Sequence, residues 1–136
     1  MREIKLPSRI ESVEQAAAKA AGFASERGYT DEFVFAVDLA VRESVINAVK
    51  HGNKFDESKE VEITLEDTED GFEITVRDHG EGFTIDEIPD PTNAENLLKA
   101  CGRGILLIRS FMDKVEWSNA LDGGVIVKML RKKVEK

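Results

Sequence analysis

Three short stretches put polar side chains or glycines where the surrounding pattern is apolar. In RESVINAVKHGN (42–53), Glu43, Asn47 and Lys50 follow Ala36 and Ala40 at intervals of three or four, so all five share one face of a helix. The alanines leave room along that face. The next three groups offer a proton acceptor, an amide oxygen suited to a hard cation, and an ammonium. Taken alone, this helix pattern suits the wet stripe of an amphipathic helix better than a pocket floor. The second stretch changes that balance. FEITVRD alternates with Phe72, Ile74 and Val76 inward, so the next position in step, Asp78, points inward as well. An isolated carboxylate in a core costs on the order of several kcal/mol unless a donor meets it. DHGEGF then supplies Gly80 and Gly82, which permit close backbone approach. Such a carboxylate can hold an exocyclic amine such as N6 of adenine; an Asp that has left the strand to shape a turn is the alternative. The third stretch, CGRGILLIRSF, sets Gly102 and Gly104 around Arg103 ahead of a helix. Backbone N–H groups at a helix start bind phosphate and Arg103 adds charge, although a flexible connection would use the same glycines. Together, an amine-reading Asp, a phosphate-cradling G-x-G and an Asn for Mg²⁺ imply a nucleoside triphosphate. Mg²⁺ keeps few protein ligands and completes its shell from phosphates and water.

The elements that must position these groups follow from periodicity and punctuation. REIKL (2–6) alternates as an opening strand, and Ser8 with Glu11 has capping-box spacing for a helix that Gly28 should stop. Thr30 can cap a second helix, long and apolar on most sides, ending at Gly52. EVEITLE turns Val61, Ile63 and Leu65 to one face, and Asp70-Gly71 signals a hairpin into FEITVRD. Residues 84–101 hold two prolines and little periodicity and are expected to be a loop with at most one short helix. ILLIRSFMDK is apolar at helical spacing. VEWSN, an Asp122-Gly123 turn and VIVKML then make a second hairpin. The order β-α-α-β-β-loop-α-β-β segregates helices from strands and predicts a layered α+β sandwich with a largely antiparallel sheet.

The totals bound the partners. The chain has 136 residues, enough for one core, so a single domain over 1–136 is expected. Hydrophobic residues make up 41% and charged residues 34%, as in ordinary globular chains, and the net charge of -8 with a pI near 4.9 argues against nucleic acid or an anionic membrane as direct partner. A lone cysteine, Cys101, excludes an internal disulfide and a cysteine-based zinc site. The opening residues lack the apolar run of a signal peptide, and no stretch approaches the roughly 20 apolar residues of a membrane span. The chain is expected to be cytoplasmic and complete as it stands.

In order and spacing these motifs resemble those of the GHKL ATPase superfamily, which includes gyrase B, the large heat-shock chaperone, histidine kinases and MutL. ESVINAVKHG resembles its N-box, DHGEGF its first glycine box and GRGILLIRSF its second. The likeness is greatest to the anti-sigma factor serine kinases, small bacterial regulators made of this ATP-binding domain alone, and extends over nearly the whole chain. It implies the Bergerat fold: helices on one side of a mixed, mostly antiparallel sheet, with ATP held between helix and loop. By position, it implies Glu43 as the general base that orients a protein hydroxyl, Asn47 as the Mg²⁺ ligand and Lys50 as a neighbour of the phosphates. Asp78 would bind the adenine amine, with Gly80 and Gly82 shaping that wall. Gly102, Arg103 and Gly104 would meet the phosphates, and residues 84–101 would form the lid.

The same resemblance implies a serine/threonine protein kinase that phosphorylates an anti-anti-sigma protein of the STAS type, sequesters a sigma factor when not so engaged, and works as a homodimer. Two departures stand out. Related domains often carry Thr after the glycine pair near the C-terminus where this chain, in DGGVIV, has Val125, and often Ser where it has Cys101, here read as an incidental small residue. His51 and His79 lie inside the nucleotide motifs and are read as structural. Two other functions fit the motifs: a module that binds ATP only as a switching ligand, and the catalytic module of a histidine kinase. The latter needs a helical domain with a phospho-accepting His, which is not expected in these residues.

Overall fold

Alternation and helix punctuation act much as the sequence suggests. The computed structural model describes residues 1–80, 104–120 and 123–133. Strand β1 (Arg2–Pro7) leads to helix α1 (Glu11–Glu26), then α2 (Asp31–Asn47), which runs on into a wider π turn (Ala48–Gly52). Strands β2 (Glu60–Asp67) and β3 (Gly71–Arg77) form a hairpin; helix α3 (Gly104–Phe111) precedes a second hairpin, β4 (Lys114–Asn119) with β5 (Val125–Lys132). The sheet order is β1-β2-β3-β5-β4 and every described pairing is antiparallel, so the architecture is the expected α+β sandwich. No helix among the described residues is long and apolar enough to cross a membrane.

The register aligns apolar residues in rows across the sheet. One row runs Ile4, Ile63, Val76, Val127 and Trp117; the next joins Leu65, Ile74, Met129 and Val115. The opposite face carries Thr64, Thr75, Lys128 and Glu116, so burial has one side only. Six alanines, Ala16, Ala17, Ala20, Ala24, Ala36 and Ala40, are fully buried, and their small side chains let α1 and α2 approach closely above the apolar face. At one end an aromatic group closes the core: Tyr29 stacks on Phe33 at 4.0 Å, and Phe72 meets Phe23, Tyr29 and Phe33 edge-on. Helix α3 joins through buried Ile108 and through Phe111, whose ring lies 6.0 Å from that of Phe35 on α2.

Two local expectations hold and one does not. Thr30 caps α2, its hydroxyl accepting from the Phe33 N–H, and Gly28 leaves α1 at a φ of +86°. Ser8, however, is not the cap of α1, because Ile10 holds that position without a side-chain bond. Ser8 is fully buried, donating to the Lys59 carbonyl at 2.5 Å and accepting from Asn53, so a tertiary bond has taken the hydroxyl that the capping box needed. Of the apolar residues near the first strand, Ile4 and Leu6 face the core, while Met1 and Ile10 are exposed.

Phe72 is fully buried at the meeting point of three aromatic rings, so Phe72→Ala is expected to cost about 3–5 kcal/mol of stability. Urea unfolding of the variant measures this; a loss under about 1 kcal/mol, typical of peripheral sites, would contradict the packing described.

Candidate nucleotide-binding site

Helix α2 supplies one wall. Ala36 and Ala40 are fully buried, and Glu43 and Asn47 follow at half-buried positions. Among the described residues neither side chain has a hydrogen-bond or ion-pair partner. Ser44, between them, is buried and returns its hydroxyl to the Ala40 carbonyl at 2.6 Å. After Asn47 the helix widens: the Asn53 N–H reaches back five residues to the Ala48 carbonyl, at 2.8 Å. Inserted π turns of this kind are frequent at functional sites. The extra residue per turn carries Lys50 off the straight α-helical stripe, and it is exposed. The uniform helical face expected from residue 36 to residue 50 therefore ends at Asn47.

The strand side supplies the second wall. Asp78 continues the inward alternation of β3 and is 5% exposed. Its main chain still pairs with β5, the Asp78 N–H donating to the Val125 carbonyl at 3.1 Å. Carboxylate Oδ1 accepts the N–H of Val125 at 3.1 Å and that of Gly80 at 3.2 Å. Oδ2 has no donor among the described residues. Instead it faces Gly52, where an added Cβ would stand 2.1 Å from it. A Cβ on Gly80 would sit 1.8 Å from the Gly52 carbonyl oxygen, and one on Gly124, at a φ of +91°, 2.1 Å from the Asp78 carbonyl oxygen. Three glycines thus form a cage that no larger residue fits. Burial pushes the Asp78 carboxyl above the ordinary carboxylate range, opposed first by the N–H groups of Val125 and Gly80 and then by the charges of His79 and Arg77.

A third group escaped the sequence pattern. Asn53, 2% exposed, accepts the His79 N–H on Oδ1 at 2.8 Å, and its Nδ2 donates to Ser8 Oγ at 2.6 Å and to the Glu60 carbonyl at 3.1 Å. Its position after Gly52 reads only as a helix end, and no spacing signal marks it as buried. The His79 ring bonds Glu62 on the outer face, in keeping with a structural role; His51 is exposed on the π turn. Gly104 is the first residue of α3. Gly82, Cys101, Gly102, Arg103 and the whole lid segment 84–101 lie outside the described residues.

The residues present fit an adenine nucleotide. Asp78 is a buried residue whose second carboxylate oxygen has no donor among the described residues, and an acceptor so held suits an exocyclic amine. Among the described residues no cluster of three His, Cys, Asp or Glu could hold a metal ion. Asn47, half-buried and without a partner among the described residues, offers one side-chain oxygen of the kind a hard cation accepts.

The sequence pattern of the histidine kinase-like ATPase domain matches residues 6–131. The chain belongs to that family. Within it, this protein is 33% identical to the serine-protein kinase RsbW of Bacillus subtilis over 135 residues, which span 95% of this chain and 83% of the relative. It is 32% identical to the RsbW of Oceanobacillus iheyensis over 133 residues, spanning 93% and 83%. Solved structures give the same fold. The RsbU and RsbW domains of a Mycobacterium tuberculosis protein match with a TM-score of 0.63 at 14% identity, over 97% of this chain and 32% of that one. The catalytic domain of the histidine kinase ThkA matches with a TM-score of 0.57 at 14% identity, over 99% and 100%. This GHKL-type domain thus has RsbW-like serine-protein kinases among its relatives.

The raised Asp78 carboxyl gives a pH signature. Stability from its neutral form is fully present below the unfolded-state value of about 4 and is lost as pH rises through the higher folded-state value. Asp78→Asn, free of that loss, should match the parent most closely in acid and gain on it toward neutrality. Chemical denaturation over a pH series measures the difference, and a gap constant with pH would refute the account.

Proposed function

We propose that this chain is an ATP-dependent serine/threonine protein kinase of the anti-sigma-factor type, folded as one domain over residues 1–136 and acting in the cytoplasm. The observation that carries the reading is Asp78: a buried carboxylate aimed by two main-chain amides, with its second oxygen left for a donor from outside. Its match is the adenine amine. The RsbW relatives support the kinase class, and the order of the three motifs supports the placement of the nucleotide's tail along α2 and toward α3.

In this proposal each residue has one task. Asp78 accepts from the base while Gly80 and Gly82 keep that wall open. Asn47 offers its oxygen to Mg²⁺, which when bound neutralises phosphate charge. Lys50, Arg103 and the amides around Gly102 and Gly104 hold the phosphate chain, and segment 84–101 covers it. Glu43, one helical turn before Asn47, receives the proton of a protein hydroxyl. The hydroxyl oxygen bonds to the γ-phosphorus as the bond from that phosphorus to the β–γ bridging oxygen breaks, and ADP leaves. Phosphoryl transfer needs mostly positioning and charge neutralisation, so these parts suffice. The protein substrate is a STAS-type anti-anti-sigma protein, and the same kinase holds a sigma factor as a homodimer. With a net charge of -8, direct binding to nucleic acid or to an anionic membrane is disfavoured.

Glu43→Ala should leave ATP affinity intact and lower phosphate transfer by about a hundred- to ten-thousand-fold. Incubation with γ-labelled ATP and candidate STAS proteins reads this directly. Undiminished labelling of the partner by the variant would remove Glu43 from its role. ATP uptake by the parent with no label on any partner would favour the binding-module alternative.

A further inference from the structure

The chain turns off β3 immediately beyond the carboxylate of Asp78, and the side chain of Asn53 is the group outside the turn that holds it, beside the Gly80 N–H on Asp78 Oδ1 within it. The Asn53 amide is fully engaged: Oδ1 takes the His79 N–H at 2.8 Å, while Nδ2 reaches Ser8 on one side and the Glu60 carbonyl on the other. Ser8 Oγ in turn donates to the Lys59 carbonyl at 2.5 Å. One buried amide therefore ties the end of β1, the start of β2 and the end of the π turn to the residue after Asp78. The Asn53 peptide is also part of the cage, since a Cβ on Gly80 would lie 3.1 Å from the Asn53 nitrogen. Asp78 is consequently held on both flanks, by Val125 through the β5 ladder and by Asn53 through His79.

We infer that Asn53 is a positioning residue for base recognition, acting through the His79 main chain to keep the Asp78 carboxylate aimed at the purine. This rests on the proposed adenine-binding role of Asp78. A carboxylate discriminates an amino from a keto substituent only while it is held in place, because the keto group brings an acceptor to an acceptor. Loss of the Asn53 amide releases the turn at 79–80 and lets the carboxylate swing. The phosphate-side groups on α2 are untouched by that release. The consequence is a loss of base selectivity rather than of triphosphate binding as such.

The test is the ratio of affinities for ATP and for inosine triphosphate, each with Mg²⁺, by calorimetry. Inosine triphosphate differs at the position that Asp78 reads. General loosening of the fold weakens both ligands alike and leaves the ratio unmoved. The parent should favour ATP by about tenfold or more, as expected for one hydrogen bond to a charged group. Asn53→Ala should bring the ratio close to one, while Ser8→Ala, which breaks the same network but leaves the Oδ1 bond to His79, should keep the parent ratio within about twofold. Should Asn53→Ala fail to fold, Asn53→Ser, which retains a small polar group but cannot span the gap, is read in the same way. Parental selectivity retained in a folded Asn53 variant overturns the role of Asn53 alone. Equal affinity of the parent for the two triphosphates overturns the adenine assignment of Asp78, and this inference with it.

Discussion

Keeping one ionisable carboxylate away from water demands neighbours that are small, or polar at fixed places, and Asp78 imposes both conditions around it. Two main-chain N–H groups take one of its oxygens. Gly52, Gly80 and Gly124 make the space, each at a distance that excludes a side chain. The demand reaches further, because Gly52 ends the π turn and Gly124 immediately precedes the final strand. The close of one helix and the opening of one strand are both fitted to the same acid. Burial raises the pKa of this acid, so holding it ionised in the fold opposes folding at neutral pH, offset in part by the two N–H groups.

The layers around this point divide the labour. Alanines between α1 and α2 bring the helices close, and the β3–β5 rows give them a flat apolar floor. Against that packing α2 can present Glu43 and Asn47 half-buried, near the surface yet on a fixed backbone. The widened turn that follows changes the direction of the chain without a break, delivering Gly52 to Asp78 and Asn53 to His79. Rigid elements thus carry the groups expected to meet the base, the cation and the hydroxyl.

Much of this was legible in the sequence, and the parts that were not have physical causes. The inward position of Asp78 follows from strict strand alternation, which the β3–β5 pairing preserves one residue past the strand itself. The Thr30 cap and the Gly28 stop are local signals, and local hydrogen bonds honour them. Ser8 reads as a cap because a capping box and a tertiary donor–acceptor pair look identical in one dimension. Asn53 carries no sequence signal for the same reason, since its three side-chain bonds go to residues 8, 60 and 79. The π turn left no trace, because periodicity arguments assume a constant number of residues per turn, and Lys50 falls where that assumption fails.

The link between Asp78 and residue 125 runs through peptide groups in both directions. A grip of that kind is blind to the side chain at 125, with one exception: proline has no N–H and would leave Oδ1 a donor short. Drift at that position therefore remodels the lining beside the acid while its aim stays unchanged. A hydroxyl-bearing residue in place of Val125 would change the surface beside the acid and leave its anchor as it is.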